Sequence, residues 1–250
     1  MPPPQSIEEV IVELDRIIDD TVAKNSYLGV FAYVYRRTTA EIKKEVEAGA
    51  FEDNPRMQQM DVIFANLYIK AYNDYQNDEQ VSQSWKVSFD AGHTRLALMQ
   101  HLLLGMNAHI NLDLAIAANE VMLNKNIQDI ANDFRKVNEI LANITNEMQS
   151  RLGRVSPLLF LLDWIGQRSD EKIADFSIIV AREQSWNIAQ QFANLEGQAL
   201  DQRIAQVDSS VASLAERMRT PRTRVLNWVL NVIKRFETRD KQAIVDALRQ

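Results

Sequence analysis

The stretch from Ala91 to Leu123, AGHTRLALMQHLLLGMNAHINLDLAIAANEVML, constrains the fold of this chain more than any other. It holds all three histidines, His93, His101 and His109, spaced eight residues apart. It also sets Gln100, Asn107, Asn111, Asp113, Asn119 and Glu120 among long aliphatic runs. On an ideal helix, with about 100° between residues, Gln100, Asn107 and Asn111 fall within about 40° of one another. His109, Asp113 and Glu120 also fall within about 40°, on roughly the opposite face, and His101 and Asn119 lie between the two groups. A surface helix carries one apolar stripe and one polar face. This one has neither, which predicts a central helix from Leu96 to Leu123 enclosed by others. Polar groups enclosed in this way must be hydrogen-bonded, or each costs roughly 1–3 kcal/mol.

The rest of the chain reads as the wall around that helix. Only 7 Gly and 6 Pro occur in 250 residues, so turns are few and long helices are favoured over many short strands. With 46% hydrophobic residues the chain can bury a sizeable core. Ser6 with Glu8 and Glu9 predicts a capped start for a helix to about Lys24. Tyr27 to Ala48 follows, closed by Gly49, and a third helix starts near Pro55. Gln76 to Ser84 reads as a loop leading into WKVSFDAGH. After a break at Asn124 to Asn126, helical spacing resumes from Ile127 to Leu152. Further helices are expected from Pro157, from Ser169 to about Asn194, from about Leu200 to Met218, and from Pro221, with Thr238 capping the last. No segment has a convincing strand period and no internal repeat is visible. The expectation is an all-α, bundle-like domain over residues 1–250, with 1–6 a flexible lead and 221–250 amphipathic helices packed on it or peripheral to it.

Several function classes are excluded or disfavoured. Cysteine is absent, which removes thiol chemistry and disulfides. No Gly-x-Ser-x-Gly elbow, Gly-x-Gly-x-x-Gly turn or P-loop occurs. A net charge of −6 argues against a general nucleic-acid binder. No apolar run approaches the ~20 residues of a membrane span, and MPPPQSIEEV lacks the regions of a signal peptide. A cytoplasmic protein is the expectation.

QHLLLGMNAHINLDLAIA, Gln100 to Ala117, resembles the signature of an uncharacterised bacterial family, domain-of-unknown-function family 5995. The resemblance extends over YRRTT (Tyr35–Thr39), FEDNPRMQQMDVIFANLY (Phe51–Tyr68), SWKVSFDA (Ser84–Ala91) and LLDWIGQRSDEKIADFSIIVAREQSW (Leu161–Trp186). It implies one continuous domain over nearly the whole chain. It implies no established activity, so no catalytic role carries over.

The sharpest constellation is His109 with Asp113, one turn apart. Such a pair can chelate a divalent metal, since both heads project from one face about 5–6 Å apart. His101 or His109, Asp113 and a carboxylate such as Asp61 or Asp175 would complete a mononuclear site, with Gly105 leaving space beside it. The simpler reading, which we prefer, is a buried hydrogen-bonded network. Carboxylate-bridged di-iron bundles use Glu-x-x-His, which does not occur here, and three histidines are too few for the trinuclear zinc nucleases. Asp175, Arg182 and Trp186 share a second face by spacings of seven and four. Arg182 either clamps an anionic substrate group, with Trp186 as a wall, or forms a buried bridge for which Asp113 is the obvious partner.

The leading expectation is thus a small-molecule site inside the bundle. His109 would be general base or metal ligand, Asp113 its orienter and Arg182 the anion clamp, with Asn107, Asn111, Asp61, Asp175 and Trp186 around the substrate. Asn66 is expected to face the same interior as Asp61, Arg36 and Arg37 could add positive charge, and Tyr33, Tyr35 and Tyr68 could line the pocket or simply be core. The rival is a non-catalytic interaction protein whose polar core only specifies packing. Its contact would be the basic amphipathic helix at 221–236, facing an anionic membrane surface or a partner, although such a helix more often packs on its own domain. The sequence leaves the reaction and the oligomeric state open.

Overall fold

The computed structural model describes residues 2–158, 161 and 178–250, and every regular element among them is helical. Helix α1 (Ile7–Ala23) starts where Ser6 Oγ accepts the Glu9 N–H at 3.2 Å, and it buries Ile7, Val10, Leu14, Ile17 and Ile18. It packs against α2 (Gly29–Glu47), which ends at Gly49 with φ at 73°, the left-handed conformation expected of a glycine past a helix terminus. In α3 (Asn54–Gln76) Asp53 accepts the Arg56 N–H at 3.0 Å and Pro55 occupies the first turn, where its missing N–H costs nothing.

The segment WKVSFDA, to which the sequence reading assigned no element, is mostly helical, and the expected loop at Gln76–Ser84 ends two residues early. The segment lies in α4 (Gln83–Asp90), whose Trp85 and Phe89 are buried. The central stretch then runs as α5 (Leu98–Ala108), a wide π turn (His109–Asp113) and α6 (Leu114–Val121). Beyond a 3-10 turn at Ile127–Ile130 come α7 (Ala131–Val155), α8 (Ile178–Phe192), α9 (Gly197–Arg219), α10 (Arg224–Phe236) and α11 (Lys241–Arg249). Asp240, rather than Thr238, caps α11, accepting from the Gln242 and Ala243 N–H groups. The helix expected from Pro157 and the cap at Ser169 fall almost wholly outside the described residues. No described helix is long and apolar enough to cross a membrane.

The chain is built around the central rod, as its lack of a polar face requires. Helices α2, α4 and α9 pack on α5, and α3 and α8 pack on α6. Its amides are answered by α9. Gln100 Nε2 donates to the Met218 carbonyl at 2.8 Å, and Asn107 Nδ2 donates to the Val211 carbonyl at 2.9 Å. Asn111 Nδ2 donates in turn to Asn107 Oδ1 at 3.1 Å. Three carboxylates from distant segments close other backbone gaps. Asp133 accepts from the N–H groups of Glu52 and Asp53, Asp208 from those of Gln83 and Ser84, and Glu237 from that of Leu98. These orphan donors at helix starts need acceptors, and an anion suits the positive end of a helix. The N-terminal lead is also tied down, since Pro4 is buried and its carbonyl accepts from Asn66 Nδ2 at 2.9 Å.

Gly105 leaves no free space. A Cβ built there would lie 2.4 Å from Cγ of Phe31, whose ring is held by Tyr35, Tyr68, Trp85 and His109. Alanine gains about 1 kcal/mol of helix propensity over glycine, but forcing a packed ring aside costs typically 1–3 kcal/mol. Gly105→Ala is therefore expected to lower stability by up to about 2 kcal/mol in urea unfolding. An unchanged or raised midpoint would show that Phe31 can yield.

Candidate functional site

The π turn organises the site. The Leu114 N–H reaches back to the His109 carbonyl, five residues earlier, so the rod carries one extra residue here. Such single wide turns occur often at functional sites. Within it, His109 Nδ1 lies 3.0 Å from Asp113 Oδ2, and both side chains are buried. The same Oδ2 accepts the Trp85 indole N–H at 2.9 Å. Trp85 makes Oδ2 the accepting oxygen of Asp113; with any carboxyl proton on Oδ1, Nδ1 is the ring nitrogen that carries hydrogen, and Nε2 is left as a lone pair. Burial pushes the His109 imidazole well below its ordinary range, towards the neutral form. Burial raises Asp113 well above the usual carboxylate range, with the Trp85 hydrogen bond pulling the other way.

Aromatic rings fix the imidazole from two sides. Phe64 stacks flat on it, with centroids 3.6 Å apart and 7° between planes, and Tyr35 meets it edge-on at 4.3 Å. His109 then lines a cavity of about 120 Å³. The walls are largely apolar, with Met57, Met60, Phe64, Leu114, Val137 and Leu141 among them. Five polar side chains interrupt this lining: His109, Asp61, Tyr35, Arg182 and Thr38, whose hydroxyl donates to the Val34 carbonyl. His109 Nε2, Asp61 Oδ2 and the Tyr35 hydroxyl are shut off from solvent without a hydrogen-bond partner among the described residues. Most buried polar atoms in proteins are paired, so three exceptions around one cavity call for an explanation.

Arg182 sits at the cavity with its Nε donating to Asn138 Oδ1 and its NH2 to the Phe134 carbonyl, both at 2.6 Å, and its guanidinium 4.6 Å over the Phe134 ring. The expected bridge to Asp113 does not form, because Asp113 is committed to His109 and Trp85. No described carboxylate pairs with Arg182. Burial pushes its pKa down to about 9, which leaves it protonated at neutral pH, with neutral groups as its partners among the described residues.

The other sequence candidates separate. His101 stacks on Tyr27 with centroids 4.6 Å apart, and burial lowers its pKa to about 3. Its neighbours are not those of His109, and no group of three or more His, Asp or Glu is arranged to hold a metal ion among the described residues. The structure thus does not assemble His101, His109 and Asp113 into one ligand set. His93 and Glu120 are exposed. Asn107 and Asn111 face α9 rather than the cavity, and Trp186 packs on Phe134 at 5.0 Å without lining the cavity. Asp175 lies outside the described residues. Arg36 and Arg37 are held by Asp15, Glu41 and Glu147, and Tyr33 receives Arg151. Trp85, Phe31, Phe64 and the two methionines of α3 were missed. The available signal was Trp85, since a buried indole N–H normally finds an acceptor and Asp113 was the carboxylate in the apolar rod.

Asp61 gives the site a pH signature. Its residue is only half-buried, yet Oδ2 is shielded, and desolvation raises its pKa to about 7. Below roughly pH 4 both folded and unfolded chains hold this proton, whereas between roughly pH 4 and 7 only the folded chain does. Its favourable contribution is therefore fully present below the unfolded pKa and is lost as pH rises through 7. Asp61→Asn removes the effect, so the variant should gain on the wild type by on the order of 1–3 kcal/mol between pH 4 and pH 8. Denaturation at the two pH values measures it, and a pH-independent difference would mean that Asp61 ionises as an ordinary surface carboxylate.

Comparison with known proteins adds the family and nothing about chemistry. Neither the curated proteins nor the solved structures contain a match to this chain. A family model described as "Family of unknown function (DUF5995)" matches residues 7–221, from the start of α1 to just before α10. The match covers most of the chain, and the chain belongs to this family.

Proposed function

We propose that the cavity beside His109 is a binding site for a small, largely apolar molecule with one anionic or strongly polar head group. The observation that carries this reading is the convergence of His109, Asp61 and Tyr35, each with a buried atom lacking a partner, on one apolar space. Ligand sites are typically apolar clefts with a few placed polar groups, and perturbed titratable residues concentrate in them. A dry cavity of about 150 Å³ accepts benzene, so about 120 Å³ suits a small aromatic ring or branched aliphatic chain. Arg182 would take the head group, since its charge has no described carboxylate opposite it. Protonated Asp61 would donate a hydrogen bond.

If the site is catalytic, His109 Nε2 is the base. Asp113 fixes the tautomer and Phe64 the ring plane, an arrangement suited to taking a proton from a bound hydroxyl, carbon acid or water. His109 and Asp113 could also offer two ligands to a divalent cation, with any further ligands supplied from outside the described residues. The competing reading, a polar core that only specifies packing, is favoured on the opposite face of the rod. There Gln100, Asn107 and Asn111 are answered by neighbouring protein groups.

Methionine methyl NMR offers a local test. Met57, Met60 and Met106 line the cavity, while Met122 and Met218 do not. Phenol, benzoate and isobutyrate at millimolar concentration should shift the first three methyls in a saturable way and leave the other two in place. Val137→Phe, which fills the space, should abolish those shifts while leaving the melting temperature unchanged or higher. Absence of saturable shifts with all three probes, or shifts that persist in Val137→Phe, would overturn the proposal.

A further inference from the structure

The penultimate helix α10 carries a feature that the interior site does not use. It packs Leu226, Val229, Leu230 and Ile233 onto Ala97, as a helix docking on its own domain should. It also leaves Val225, Trp228 and Phe236 exposed, at 61%, 65% and 61%. With Val232, these residues fall within about 80° of arc on the helix. Arg224 and Arg235 run along the edge of that stripe, within about 40° of Trp228. A buried stripe, a basic band and an exposed apolar stripe therefore lie side by side on one helix.

Charge sets this region apart. Residues 217–239 hold seven basic side chains, Arg217, Arg219, Arg222, Arg224, Lys234, Arg235 and Arg239, against the single carboxylate of Glu237, in a chain whose net charge is −6. That carboxylate is turned inward, accepting from the Leu98 N–H and, at 2.6 Å, from the Ser156 hydroxyl. Elsewhere exposed lysines face carboxylates, as in Lys24–Asp20, Lys43–Glu47, Lys70–Asp74 and Lys86–Asp90. Arg222, Arg224, Lys234, Arg235 and Arg239 form no ion pair with a described residue. Arg95 adds to the charge, donating to the Lys234 carbonyl at 2.9 Å, and with Asn231, Lys234, Arg235 and Arg239 it lines a shallow basic depression.

We propose that the outer face of α10 docks on an anionic phospholipid bilayer. Trp228, Val225 and Phe236 enter the boundary between headgroups and acyl chains, and Arg222, Arg224 and Arg235 lie against lipid phosphates. Helices that lie in this boundary combine a basic face with tryptophan, phenylalanine and aliphatic residues on the other, and tryptophan favours the interface. A bilayer suits the surface better than a nucleic acid, because a duplex offers phosphates but nothing to cover the apolar stripe. The matched family region ends at residue 221, so this helix lies beyond it.

Vesicle sedimentation with the full chain tests the proposal. At low salt the protein should pellet with vesicles of phosphatidylglycerol mixed with phosphatidylcholine, and not with phosphatidylcholine alone. Tryptophan emission should shift to the blue on binding in the wild type and much less in Trp228→Phe. The double variant Arg224→Gln/Arg235→Gln should bind about thirtyfold more weakly, since each surface cation is worth roughly fivefold. Trp228→Ala should also weaken binding, with melting temperatures unchanged because these side chains are exposed. No binding to the anionic vesicles, or equal binding to neutral ones, would overturn the proposal. So would binding that Trp228→Ala leaves intact and duplex DNA competes away, because the face would then be a general polyanion site.

Discussion

A helix walled in on every side must find an internal partner for each of its polar side chains, and that requirement organises the rest of this protein. The rod from Leu98 to Val121 meets it unevenly: both ring nitrogens of His101, stacked on Tyr27, lack a described partner, and the other two faces differ. Towards α9, Gln100, Asn107 and Asn111 are bound to protein groups, two of them to backbone carbonyls that no mutation of a neighbouring side chain can remove. Towards α2 and α3, Asp113 is satisfied by His109 and Trp85, but the chain of bonds stops at His109 Nε2. One face therefore fixes the packing. The other ends at a nitrogen without a described partner, on a residue that lines the cavity.

The same accounting explains the remaining buried charges. Asp133, Asp208 and Glu237 each close backbone donors near the start of a helix, so their burial is a matter of architecture. Asp61 and Arg182 do not fit that pattern. Asp61 has a shielded oxygen with no described partner, and Arg182 has neutral partners but no described carboxylate. Both line the cavity that His109 reaches, and their desolvation would be offset by a ligand that supplies the missing partners.

Much of this was legible in the sequence, because period, capping and composition act locally. The helices near Ser6, Pro55 and Gly49 follow their capping residues, and the enclosed rod follows from its lack of a polar face. The His109–Asp113 contact follows from spacing. The failures have a physical cause in the π turn. One extra residue rotates everything after it by about 100° relative to an unbroken helix, so a simple projection wrongly placed Glu120 beside His109. Nothing in HINLD announces that turn. Partners across the core were equally hidden, since Trp85 opposite Asp113 and Asn138 opposite Arg182 depend on how helices dock. Gly105 suggested room for a ligand, whereas the space is filled by Phe31.

The central claim is that Trp85 and Asp113 hold His109 as the neutral Nδ1–H tautomer, which leaves the Nε2 lone pair without a described partner. Nitrogen-15 NMR of labelled histidine reads this directly. The account predicts that His109 keeps a protonated Nδ1 and an unprotonated Nε2 without titrating between pH 5 and 8, the span over which an ordinary imidazole changes charge. A His109 that titrates near pH 6.5, or one that carries its hydrogen on Nε2, would contradict it.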